Sequence, residues 1–71
     1  MGTFYAASQP GAEPFVTAGR QVKKGETLCL IEAMKMMSEI PAPADCVVEE
    51  ILVDDGSAVG YGQPLFRVRR V

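Results

Sequence analysis

Lys35 lies in the run Glu32-Ala33-Met34-Lys35-Met36-Met37, with 34 residues before it and 36 after. A lone lysine at a turn is ordinarily a solvated charge. Three features set this one apart. Apolar methionines flank it where polar turn residues are expected; no Gly, Asn or Pro in the run explains a turn by local chemistry; and it occupies the midpoint of a chain whose halves repeat each other. A lysine amine titrates near ~10.4 unless perturbed, so a nucleophilic or Schiff-base role needs burial or a second cation. An exposed tip supplies neither. Exposure suits modification by another enzyme, and an amide there would remove the charge and lengthen the side chain into a tether. Lys35 therefore reads as a covalent attachment site.

Other candidate constellations are thin. Glu49 and Glu50 are adjacent on an expected strand, where neighbours face opposite ways and cannot share acid–base work. Asp54-Asp55-Gly56 is a turn signature, and Tyr61 between two glycines reads as a turn residue. The chain has no histidine, which closes off most acid–base triads, and no phosphate-cradling glycine loop. Cys29 and Cys46, each with apolar flanks and no CxxC spacing, read as buried reduced thiols, and a zinc site is not expected. A net charge of −2 argues against nucleic-acid or anionic-membrane partners. The one basic cluster, Arg67-Val68-Arg69-Arg70, is too short to reverse that, and no apolar run approaches the ~20 residues of a membrane helix.

The elements that must position Lys35 follow from an internal repeat. Offset by 37 residues, Val16, Gly19, Val22, Gly25 and Leu28 fall on Val53, Gly56, Val59, Gly62 and Leu65. Each half reads as strand, glycine turn, a short extended piece around Val22 or Val59, glycine turn, strand. Strands are expected at Gly2–Tyr5, Phe15–Val16, Leu28–Ile31, Met37–Ile40, Val47–Val53 and Leu65–Arg69, with a bend or bulge in the fifth. Residues 32–39 contain good helix formers, but the segment before Pro41 is too short to be stable alone, so a hairpin is expected. The fold class is all-β: a flattened sandwich or barrel of two similar antiparallel sheets, one domain over residues 1–71. The tip should lie remote from both termini.

Gly2 to Val16 is 14 steps where Cys46 to Val53 is 7. The first half thus carries an insertion at about residues 6–14, which Pro10-Gly11 makes a protruding turn. Residues 40–45 lead into the second half without a counterpart ahead of Gly2, so a first strand is expected to be missing.

Glu32-Ala33-Met34-Lys35-Met36 resembles the biotin-attachment motif of the biotin carboxyl carrier family, which centres on Met-Lys-Met; lipoyl-bearing relatives of the same fold typically carry Asp-Lys-Ala there. Gly2-Thr3-Phe4-Tyr5 and the insertion after it look like the branch serving bacterial or plastid acetyl-CoA carboxylase, distinguished by a protruding thumb. The resemblance implies biotin on Lys35, joined by a biotin ligase. Biotin carboxylase would then load a carboxyl group, and carboxyltransferase would pass it to acetyl-CoA to give malonyl-CoA for fatty-acid synthesis. It implies a non-catalytic carrier of bacterial cytoplasm or plastid stroma. Met34 and Met36 would form a soft contact surface for the ligase or else fold back over the sandwich, with Met37 in the core. Another biotin-dependent carboxylase or decarboxylase is an alternative host, and a β-sandwich binding module with an ordinary Lys35 is the reading from a different class.

Overall fold

The computed structural model describes residues 2–9 and 11–71. Seven strands form two antiparallel sheets, and there is no helix among the described residues, hence none able to cross a membrane. The strands are β1 (Gly2–Tyr5), β2 (Gln21–Val22), β3 (Thr27–Ala33), β4 (Met36–Pro41), β5 (Cys46–Ile51), β6 (Ala58–Val59) and β7 (Phe66–Arg70). One sheet runs β4-β3-β1-β6 and the other β2-β5-β7. The molecule is flattened, 34 × 27 × 19 Å.

The repeat is built into the hydrogen bonds. Gly19 N donates to Val48 O at 2.6 Å, and Gly56 N to Phe4 O at 2.7 Å; Val48 N donates to Arg20 O and Phe4 N to Ser57 O, both at 2.9 Å. Lys23 N meets Glu26 Oε1 at 3.1 Å as Gly60 N meets Gln63 Oε1 at 2.9 Å. Gly19 and Gly56 have φ of 92° and 84°, a region that costs side chains strain and leaves glycine free. That requirement is why the glycines recur at the same offset.

Two apolar clusters fill the sandwich. Val16, Val22, Leu28, Ala42, Cys46 and Val48 form one; Phe4, Cys29, Val53 and Val59 form the other. Leu28 and Cys29 are both buried although adjacent, because the β3–β4 register shifts between Thr27 and Cys29. β3 thereby serves both clusters. Phe4, fully buried, contributes about 1.5–3 kcal/mol by burial and tilts against Phe66 at a 5.9 Å centroid distance. Both cysteines are buried free thiols.

Several expectations are corrected. Phe15 and Val16 are not in a strand; Val16 is buried, but Phe15 N bonds Ala6 O at 2.8 Å, closing a loop instead of joining a sheet. β5 ends at Ile51, and the register shift expected within it falls between Val48 and Glu50. That bulge defeats the alternation argument for Glu49 and Glu50. Both are exposed and both reach Arg67, at 3.5 and 3.2 Å, while Arg69 meets Glu49 at 3.3 Å. The basic tail is thus largely neutralised by its neighbour strand. The termini also differ. Thr3 pairs with Glu32, so Gly2 stands beside the end of β3 that leads to Lys35, and a Cβ on Gly2 would come 2.5 Å from Glu32 O. Val71 N bonds Asp45 O at the opposite end, near the turn that opens β3. Only the C-terminal end is remote from Lys35. Pro10, expected at the tip of the protruding turn, lies outside the described residues; Gly11 beyond it is exposed with φ 81°.

Candidate functional site

β3 and β4 form a hairpin closed by the pair Ala33↔Met36, leaving Met34 and Lys35 as a two-residue loop. Their φ values are 53° and 66°. Two positive φ angles are what a type I′ turn requires, and they match the right-handed twist of the flanking strands. Asn-Gly ordinarily fills such a loop. Here two long side chains occupy it at a cost of about 1–2 kcal/mol each, so the ladder on either side must hold the bend against local preference.

The bend directs apolar groups outward. Met34 is 95% exposed and Met36 70%, so neither folds back over the sandwich. Lys35 is exposed and enters no ion pair among the described residues. Met37, expected in the core, is 52% exposed. Ile40 packs into the second cluster, and period-two alternation puts a residue three positions earlier on the opposite face.

That outer face carries more than a methionine. Tyr5 Oη donates to Glu32 Oε1 at 3.1 Å, joining β1 to β3 just below the turn. This hydrogen bond, then the Glu32 charge, then desolvation and the charge of Asp55, raise the Tyr5 pKa above its usual 10.0. The phenol therefore stays protonated and donating. Beyond Tyr5 the chain leaves the sheet as the thumb, whose neck is the bridge Ala7↔Pro14. Ala7, Ser8 and Gln9 face Tyr5, Glu32 and Met37 across a cleft of about 270 Å³.

Of the residues singled out by sequence, the structure brings Met34, Lys35 and Met36 together at one tip. Tyr5, Glu32 and Asp55 were not predicted to interact. Glu32 was visible only as part of the motif, and the pairing of Tyr5 with it depends on a β1–β3 register that no local pattern encodes. Among the described residues there is no cluster of metal-ligating side chains.

A family model described as "Biotin-requiring enzyme" matches residues 1–68. The chain is 49% identical over 69 residues to the biotin carboxyl carrier protein of acetyl-CoA carboxylase of Streptococcus pyogenes, covering 97% of this chain and 42% of that protein. It is 48% identical over 68 residues to the protein of the same name from Pseudomonas aeruginosa, covering 96% and 44%. A chloroplastic form from Arabidopsis thaliana is 48% identical over 65 residues, covering 92% and 26%. The chain thus spans less than half the length of these relatives.

Proposed function

The chain belongs to the biotin/lipoyl family of biotin-requiring enzymes, and on that footing we propose that it is the biotinyl domain of an acetyl-CoA carboxylase carrier protein, with biotin joined to Lys35. One observation supports the reading above the rest: the Met34-Lys35 turn holds an exposed lysine and two exposed methionines at its tip against local backbone preference. The site fits the group chemically. A primary amine can form an amide with a carboxyl group, and this one is open to an approaching ligase.

When bound, biotin supplies a ring nitrogen that accepts and releases a carboxyl group. Everything else the domain contributes is mechanical. Lys35 provides a long tether, and the two-sheet scaffold fixes its root. Met34 and Met36 give partners an adaptable apolar surface beside it. Placing the tethered group at high local concentration near each partner replaces a bimolecular encounter, while biotin ligase, biotin carboxylase and carboxyltransferase provide the catalytic groups. The domain itself is non-catalytic. The thumb supports assignment to the acetyl-CoA branch over other biotin-dependent carboxylases. Bacterial and chloroplastic relatives support a site of action in bacterial cytoplasm or plastid stroma. The domain organisation in this reading is a single unit over residues 1–71.

The test is incubation with biotin, ATP and a biotin ligase, followed by intact-mass measurement. One biotin per chain is expected, lost in Lys35→Arg. A folded domain that gains no mass would leave the binding-module reading in its place.

A further inference from the structure

The two halves differ most where the thumb departs, and a side chain from the opposite half meets it there. Tyr5↔Leu30 corresponds to Glu50↔Arg67 under the 37-residue offset of β3 onto β7, so Ala6 is the counterpart of Ile51. Ile51 stays in its ladder against Phe66. Ala6 does not pair with Cys29; its N–H donates instead to Asp55 Oδ1 at 2.8 Å. The counterpart of Asp55 in the first half is Ala18, which has no acceptor to offer. The acceptor and the insertion it serves thus break the repeat together, from opposite halves of the chain.

We propose that Asp55 is a positioning residue for the thumb: its carboxylate captures the Ala6 N–H and sets the direction in which the chain leaves the sheet after Ala6, holding open the cleft that Ala7, Ser8 and Gln9 form with Met37 and Glu32 near the Lys35 turn. Three independent ties converge on this root. Asp55 fixes Ala6 from one side, the Tyr5–Glu32 bond fixes the preceding residue to β3, and Phe15 N to Ala6 O at 2.8 Å closes the neck. Without Asp55 the Ala6 N–H would depend on water, and the loop could pivot about its neck. The cleft would then be correctly shaped only part of the time, and apparent affinity for a partner falls in proportion to that fraction.

The inference rests on the carrier reading for its consequence but not for its first measurement. Amide hydrogen exchange on the unmodified protein should show Ala6 exchanging about tenfold faster or more in Asp55→Ala, with Val22 and Val48 little changed. Asp55→Asn keeps an acceptor oxygen and should restore protection. Unchanged exchange at Ala6, loss spread equally to Val48, or failure of Asp55→Asn to rescue would each overturn the proposal. In the biotinylated full chain, Asp55→Ala should raise the KM of biotin carboxylase for the carrier severalfold with kcat kept, and Asp55→Asn should restore it. An unchanged KM alongside faster Ala6 exchange would also overturn it. Failure of biotinylation in the wild-type chain would instead count against the carrier reading alone.

Discussion

Tyr5 Oη and Glu32 Oε1, 27 positions apart in sequence and 3.1 Å apart in space, tie the strand that feeds the thumb to the strand that feeds the lysine turn. Thumb and turn therefore share a root. The folded-state pKa of Tyr5 lies above its usual 10.0, chiefly through the Glu32 hydrogen bond and then the Glu32 charge. The protonated phenol is favoured in the fold. Its contribution to stability is complete below the unfolded value near 10 and is lost as pH rises through the folded value. Tyr5→Phe should abolish that alkaline dependence, and Glu32→Gln should move the phenol back toward 10. Ultraviolet absorbance of tyrosinate in a Tyr61→Phe background reads the titration; a phenol ionising below 10 in the wild type would sink the account.

The turn makes a different prediction. Met34 holds φ of 53° while 95% exposed, so its side chain gains nothing from burial to offset the strain. Met34→Asn should stabilise the domain by about 0.5–1 kcal/mol, and Met34→Val, β-branched at positive φ, should destabilise it by at least as much. Urea titration reads both. If the apolar surface matters to the ligase, Met34→Asn should biotinylate more slowly despite being the more stable protein. A less stable Asn variant would show that the bend carries no strain.

How legible this was in sequence depends on the range of the cause. The glycines at 19, 25, 56 and 62 announced the repeat because positive φ is a local demand, and each of them meets it. The Lys35 hairpin was readable because strand-forming residues flank a segment too short to be a helix. The left-handed conformation of Met34 and Lys35 carried no local signal, since the sheet imposes it. Met37 is apolar yet faces outward, because the period-two phase set by Ile40 outweighs its hydrophobicity. Glu49 and Glu50 escape the alternation rule because a bulge interrupts it without a glycine to mark the place. The Asp55–Ala6 bond joins the two halves, and Asp54-Asp55-Gly56 was fully explained as a turn without it.

Burial makes Cys29 a sensitive reporter of the core. It is fully buried between Leu28 and Leu30, and desolvation pushes its thiol from 9.0 to about 11. The folded value lies above the unfolded one, so this contribution is whole below pH 9 and lost as pH climbs through 11. Native protein should react with a thiol reagent only as fast as the core opens, and unfolded protein at once. Cys29→Ser, which buries a hydroxyl without an assured partner, should cost about 1–3 kcal/mol. Rapid labelling under native conditions would mean that the sandwich opens far more readily than its packing implies.

β7 is the remaining asymmetry. It is the counterpart of β3, yet β3 carries β4 on its outer edge while β7 carries no strand there among the described residues. In the first half, Gly25 N donates to Ala42 O and Ala42 N to Glu26 O, locking the end of β4 to the β2–β3 turn. Gly62 N and Gln63 O, the corresponding atoms, have no backbone partner of this kind among the described residues. Val68, the counterpart of Ile31, lies on this edge strand and is 37% exposed. An unpaired edge of this kind invites pairing. A strand patterned apolar–polar and joined ahead of Met1 should pair antiparallel with β7. Covering Val68 and one apolar neighbour would add about 2 kcal/mol, raising Tm by several degrees in a domain of this size. The extension should also slow amide exchange along Phe66–Arg70. Equal stability with and without it, at unchanged β7 exchange, would show that the second sheet is complete with three strands.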